Sequence, residues 1–334
     1  MSQTVGTVFA VQANFYRVLC DDTKLELLCT RRANLKKMGQ MVWVGDRVVV
    51  EEIYGDRGVI SAVLPRRNYL ERPAIANVDR ILVVGALREP APDPWQISRF
   101  LVYAELVGVP ILVGLSKADL VSGDYSQAWS DRLREWGYES VVFSTCTGQG
   151  MAELLARISD GITLLTGQSG VGKSSLINYL VPHLHLSTQS VSAKGKTGRH
   201  TTRHVQLFPI PQGLLADSPG FLQPPLCTTP QKLAQAFPEI RRRLQSASCE
   251  FANCRHQQEP NCVVRGDWER YAHYLAWLEE LPTTVPSVSA TTKIKPPKHG
   301  KERREILLPK QQRQLSRRRL HQKASGTLVG QEWD

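Results

Sequence analysis

The sequence predicts three folded parts: an all-β barrel, an α/β domain with a parallel sheet, and a mostly helical segment that carries a cysteine cluster. Three observations predict it. Five β-rich runs separated by turns fill residues 5 to 63, apolar strands alternate with helical stretches from residue 78, and Cys249, Cys254 and Cys262 crowd into fourteen residues. The expected boundaries are 1–66 for the barrel, 67–225 for the α/β domain, 226–285 for the helical domain and 286–334 for a tail.

The runs VGTVFAV, FYRVLC, LELLCT, DRVVVEEI and GVISAV have the length and spacing of a small barrel or sandwich. Arg31, Arg32, Lys36 and Lys37 share one connection. An oligonucleotide-fold barrel would place a nucleic-acid contact there, and an ordinary solvated loop would read the same way.

The α/β pattern begins with ILVVGA (81 to 86), followed by a helix from Gln96 to Val107 and the strand of PILVGLSKAD (110 to 119). A helix over 126 to 136, the strand of SVVFSTCTGQG (140 to 150) and GITLLTGQSG (161 to 170) running into SSLINYL complete the alternation. Strands interleaved with helices imply a parallel sheet covered on both faces. VQLFPI and GLLADSPG add a hairpin, and residues 226 to 281 read as mostly helical.

Composition bounds the chemistry. The chain has 334 residues, 42% hydrophobic and 22% charged, an ordinary globular composition. No run reaches membrane-span length, and MSQTVGTVFA lacks the basic start and apolar core of a signal peptide, so a cytoplasmic location is expected. Of 42 Lys plus Arg and 31 Asp plus Glu, 12 and 2 fall between Lys293 and Lys323, leaving the body close to neutral. That tail suits contacts to a phosphate backbone, or it serves solubility alone. Seven cysteines without an export signal argue against disulfides, and the four outside the cluster are expected as core thiols.

Residues 167 to 176, GQSGVGKSSL, fit the phosphate-loop pattern completely through Gly167, Gly172, Lys173 and Ser174, with a strand before and a helix after. Backbone N–H groups of Gly167, Gln168, Ser169, Gly170, Val171, Gly172, Lys173, Ser174 and Ser175 would wrap the phosphates. Lys173 would reach the β and γ phosphates, and the Ser174 hydroxyl would ligate Mg²⁺. Asp217 opens DSPG after an apolar strand, where an acid can hold Mg²⁺ through water and Gly220 can donate to the γ-phosphate. Between them, GRHTT offers Thr201 or Thr202 to the metal, and Thr201 is the choice taken.

Base recognition lies upstream. Ser116, Lys117, Ala118 and Asp119 follow a strand as S-K-x-D, like the guanine motif N-K-x-D, whose carboxylate meets the N1–H and amine of guanine. Ser144, Thr145 and Cys146 follow the next strand, where an N–H could meet guanine O6. The order is base motif, supporting loop, phosphate loop, threonine loop, metal acid: a GTPase domain cut and rejoined. An ATPase or kinase is opposed by SKAD, and an RNA-binding module with a vestigial site by intact Lys173, Ser174 and Asp217. Cys249-x4-Cys254-x-His256-x5-Cys262 supplies three thiolates and an imidazole, a tetrahedral set for one structural zinc, while His273 falls outside the spacing.

Taken together, these motifs over residues 1 to 290, with VGDRV (44 to 48) and NVDRILVV (77 to 84), resemble the circularly permuted ribosome-assembly GTPases of the RsgA (YjeQ) type. The resemblance implies an N-terminal oligonucleotide-fold barrel, a permuted α/β P-loop GTPase domain and a C-terminal zinc domain. It further implies a monomer that hydrolyses GTP with Mg²⁺, binds the small (30S) ribosomal subunit and its rRNA late in assembly, and is stimulated by that subunit. Ser116 departs from the usual Asn of this family, a shorter support for the base. Phe221 stands where many GTPases carry a water-positioning Gln, and the resemblance assigns the catalytic role to His200, with Lys173 and Thr201 beside it.

Overall fold

The computed structural model describes residues 3–71, 73–181, 205–211, 213–217, 224, 226 and 228–281. Strands β1 (Thr4–Gln12), β2 (Phe15–Cys20), β3 (Glu26–Arg31), β4 (Arg47–Tyr54) and β5 (Arg57–Val63) close into a barrel in the order β1-β2-β3-β5-β4. Only β3 and β5 pair in parallel. Alternate residues such as Val8, Val18, Leu27, Val48, Val50 and Ile60 fill the interior, and closure leaves no free sheet edge. A short helix α1 (Ala33–Lys37) joins the third strand to the fourth.

That helix corrects part of the basic connection. Arg31 lies over the Tyr16 ring and donates to the Gln40 carbonyl at 2.8 Å, while Arg32 pairs with Glu51 at 2.9 Å and Glu52 at 2.6 Å. Two of the four cations therefore hold the barrel together, and Lys36 and Lys37 are left exposed.

A hairpin, β6 (Tyr69–Glu71) and β7 (Ala74–Ala76), leads to a six-stranded sheet. Its strands are β8 (Arg80–Ala86), β9 (Ile111–Ser116), β10 (Ser140–Val142), β11 (Ile162–Thr166), β12 (Leu207–Ile210) and β13 (Gly213–Asp217), in the order β10-β9-β8-β11-β13-β12. All pair in parallel except β12 with β13, the expected hairpin. Along β8, Ile81 and Val83 enter one apolar cluster and Leu82 and Val84 another, because successive side chains point to opposite faces. Helices α2 (Pro94–Val107), α3 (Gly123–Trp136), α4 (Met151–Ile158) and α5 (Lys173–Leu180) supply the cover. The second of these, α3, begins three residues before the expected Ser126, since Ser122 caps it by accepting the Tyr125 N–H at 3.3 Å.

Helices α6 (Pro230–Gln235), α7 (Pro238–Ser246) and α8 (Tyr271–Glu280) carry the cysteine cluster and pack on α2 through Phe237, Tyr274 and Trp277 against Val102. Fully buried Arg270 donates to Glu239 at 2.8 and 2.6 Å and lies among the rings of Trp136, Tyr138 and Phe237. His273 is buried in α8 edge-on to Trp95. Among the described residues no helix is long and apolar enough to cross a membrane. Of the cysteines expected in cores, Cys20 and Cys29 are buried in the barrel, but Cys146 is exposed because it sits in a loop at a strand end. Cys227 lies outside the described residues.

Candidate nucleotide and metal sites

The ends of β9, β10, β11 and β13 bring the predicted residues to one edge of the sheet, the edge at which open α/β sheets bind ligands. Leaving β11, the chain turns at Gly167 with φ 140°, where a Cβ would stand 2.2 Å from the Val84 carbonyl oxygen. Gly172, at φ 96°, then opens α5, so the loop's amides and the first helical turn with Ser174 and Ser175 are available to an anion.

Lys173 is buried and donates to the carbonyls of Gly167 and Gln168, both at 2.7 Å. Burial lowers its pKa against the pull of Asp217. Asp217, aligned with Leu165 on the neighbouring strand, is raised to about 6 by burial in spite of Lys173. Its Oδ1 is buried without a hydrogen-bond partner among the described residues. A buried carboxylate oxygen without a protein donor is a group a hard cation would complete, so Ser174 and Asp217 fit the Mg²⁺ that accompanies a nucleoside triphosphate.

The base motif is built just as tightly. Lys117 has φ 61° and donates to the Glu89 carbonyl, and Asp119 is the middle residue of a 3-10 turn, Ala118–Leu120. The Ser144 hydroxyl donates to Asp119 Oδ1 and accepts the N–H groups of Cys146 at 3.1 Å and Thr147 at 3.2 Å. One hydroxyl thus locks the carboxylate to the loop Ser144–Thr145–Cys146. Ser116, 3% exposed, donates to the Val171 carbonyl at 2.6 Å and approaches the Gly85 carbonyl at 3.2 Å. The short side chain therefore ties the base motif to the phosphate loop directly. Neither tie was visible in the sequence, where only the serine standing for asparagine marked the place.

The cysteine cluster passes a geometric test for zinc. Cys249 Sγ lies 3.9 Å from Cys262 Sγ, His256 Nδ1 lies 3.6 and 3.4 Å from the same two sulfurs, and all four donor atoms, Cys254 included, fall within 4.8 Å of one another. Tetrahedral zinc with bonds of about 2.0 to 2.3 Å separates its donors by roughly 3.5 to 3.8 Å. Without a cation, burial and the neighbouring thiols push Cys254 up to about 12, so a divalent ion is what would make thiolates stable here. Glu259 shapes the loop: burial pulls its carboxyl upward, but the N–H groups of Arg255, Gln257 and Gln258 hold it down at about 2. Tyr271 and Tyr274 donate to the carbonyls of His256 and Arg255, each at 2.7 Å, and brace the loop on α8.

His200, Thr201, Thr202, Gly220 and Phe221 lie outside the described residues. Comparison with known proteins bears on the whole arrangement. Residues 63–226 match the model of the RsgA GTPase family. A Microcystis aeruginosa protein named small ribosomal subunit biogenesis GTPase RsgA is 53% identical over 297 residues, 87% of this chain and 83% of the relative. One of the same name from Thermosynechococcus vestitus is 50% identical over 334 residues, 96% of each. The crystal structure of YjeQ from Thermotoga maritima superposes with a TM-score of 0.72 at 30% identity, covering 84% of this chain and 99% of its own. The circularly permuted GTPase YloQ does so at 0.70, with 30% identity, 84% of this chain and 95% of its own.

Proposed function

This chain belongs to the RsgA GTPase family, and from that membership we propose that it binds the small ribosomal subunit and its rRNA, acts late in the maturation of that subunit in the cytoplasm, and hydrolyses GTP under the subunit's stimulation. Its GTPase domain is circularly permuted, so the phosphate loop, Asp119 and Asp217 meet only through the sheet. In this reading Gly167 to Ser175 hold the phosphates, and Asp119 with Ser116, Lys117, Ala118 and the loop from Ser144 holds guanine. Ser174, Thr201 and Asp217 hold Mg²⁺, which would supply charge neutralisation on the transferring phosphate. Lys173 neutralises the same phosphates from the protein side. Cys249, Cys254, His256 and Cys262 hold one structural zinc, with no position left for catalysis.

The outer face of the barrel carries the partner reading. Phe15 is 51% exposed and Tyr54 80%, while Arg17, Leu28 and Arg57 stand in register on β2, β3 and β5 between them. Exposed rings beside guanidinium groups suit stacking with unpaired bases and contact with phosphates. The tail from Lys293 to Lys323 would add backbone contacts.

A phenyl ring at Phe221 cannot orient water, so the polar group for attack is assigned to His200, acting when the subunit is bound. GTP turnover with and without purified small subunits tests the whole reading. The parent should be strongly stimulated; His200→Ala should bind GTP and subunit normally and lose most of the stimulation. Equal stimulation of the mutant would remove His200 from the mechanism, and an unstimulated parent would remove the partner.

A further inference from the structure

Helix α2 works on two sides. Gln96, Ile97 and Phe100 line a small cavity with Gln168 and Val171 of the phosphate loop. One face over, Arg99, Val102, Tyr103 and Leu106 recur at helical spacing toward the cysteine-bearing module, the last three within or against its apolar cluster.

Arg99 is the polar member of that row and is only 5% exposed. Its Nη1 and Nη2 donate to the two carboxylate oxygens of Glu280, in the last turn of α8, both at 2.7 Å. Its Nε donates to the Pro224 carbonyl at 3.1 Å, and its guanidinium lies 5.9 Å from the Trp277 ring centroid. Pro224 follows Asp217 by six intervening residues, a tether that spans at most about 24 Å even when straight. One guanidinium therefore grips both Pro224, seven positions on from the metal acid, and the last turn of α8. The helix that carries it backs the phosphate loop.

Apolar packing of Val102, Leu226, Phe237, Tyr274 and Trp277 already docks the module, and burying an arginine costs more than burying another apolar side chain. The planar fork has a further use here, because it reaches two separate segments at once. We propose that Arg99 is a positioning residue that passes the nucleotide state of the phosphate site to the cysteine-bearing module. The proposal rests on the GTPase reading of the site and not on the ribosomal partner.

The test is amide exchange of residues 228–281 in the full chain with Mg²⁺ and either GDP or a β,γ-imido analogue of GTP. Exchange in the parent should differ between the two nucleotides by about threefold or more. Arg99→Gln should lose that difference while affinity for the analogue stays within about twofold of the parent. The exchanged pair Arg99→Glu with Glu280→Arg restores opposite charges but offers the Pro224 carbonyl no donor from α2. It should recover melting temperature and still show no nucleotide difference, whereas a purely structural role would recover both. If Arg99→Gln fails to fold, Arg99→Lys gives the same reading, since it keeps the charge toward Glu280 and lacks the fork. A parent without a nucleotide difference, or either single variant that retains one, overturns the proposal. No ribosomal material enters the experiment, so its failure would leave the partner reading intact.

Discussion

The four donors of the cysteine cluster come from Cys249 to Cys262, one loop braced by Glu259 and two tyrosines, whereas the groups around the phosphate loop come from strand ends spread between Ser116 and Asp217. The first site is local in sequence and owes its shape to its own turns and to the side chains that brace them. The second is assembled by sheet register and owes its shape to the core of the domain. A local site can therefore fail without taking the fold with it, while a distributed one is as stable as the sheet and is vulnerable only at the side chains that join its pieces.

Removing one zinc ligand is the largest test of that contrast. A structural zinc is worth about 10 kcal/mol or more in small zinc modules. Cys254→Ser should abolish binding of one zinc per chain and loosen residues 228–281, visible as lost exchange protection, while GTP affinity changes by no more than about threefold. Metal analysis of protein purified without added zinc checks the stoichiometry. Concerted loss of nucleotide binding would show that the two sites share one cooperative unit.

At the distributed site, one side chain should change specificity without touching stability. Asp119→Asn exchanges two acceptors for an acceptor and a donor, so it should disfavour GTP and favour xanthosine triphosphate, whose C2 carbonyl replaces the guanine amine. The preference should move by about 10⁴-fold, the scale on which hydrogen-bonding sites reject mismatched ligands. Competition binding with GTP, XTP and ATP reads it, and tight ATP binding by the parent would break the base assignment.

The same contrast governs what could be read from the sequence. GQSGVGKSS and the cysteine spacing are legible because each places its chemistry within a few residues, and the barrel's five strands because alternation is a local signal. The hairpin β6–β7 escaped because three residues per strand carry too little periodicity. Arg31 and Arg32 read equally as a binding surface or a solvated loop and are partly spent on Gln40, Glu51 and Glu52, since a charge in a sequence does not show its partner. The docking of α8 on α2 through Arg99 and the tie from Ser116 to Val171 join residues far apart in the chain, and no local pattern announces them.

Acid should act on the distributed site through Asp217, whose carboxyl is raised to about 6. A proton competes there with Mg²⁺, so Mg²⁺-dependent GTP binding should weaken about tenfold for each pH unit below 6. The sign for the nucleotide-free protein is opposite. Its native state holds the proton more tightly than the unfolded chain does, so this group adds stability as pH falls from 6 toward its ordinary range. Asp217→Asn should flatten both trends, which separates them from protonation of the zinc ligands. A parent whose Mg²⁺ dependence is level from pH 7 to 5 would place the metal elsewhere.

The smallest effect, and the sharpest on the comparison, is expected at Ser116. Its hydroxyl is the one direct link between the base motif and the phosphate loop among the described hydrogen bonds, through Val171 at 2.6 Å. Ser116→Ala leaves the Val171 carbonyl without that donor in a buried place, a loss of about 1 to 2 kcal/mol. The sheet on either side is unchanged, so most of the cost should fall on how well the loop is held for phosphate. GTP and GDP should therefore weaken alike, by about five- to tenfold, with guanine selectivity intact because Asp119 keeps its bond from Ser144. Titration of both nucleotides and of ATP measures this. If the alanine variant instead loses discrimination against ATP while phosphate affinity holds, Ser116 serves the base, as asparagine's longer reach would, and the two halves of the site are joined by the sheet alone.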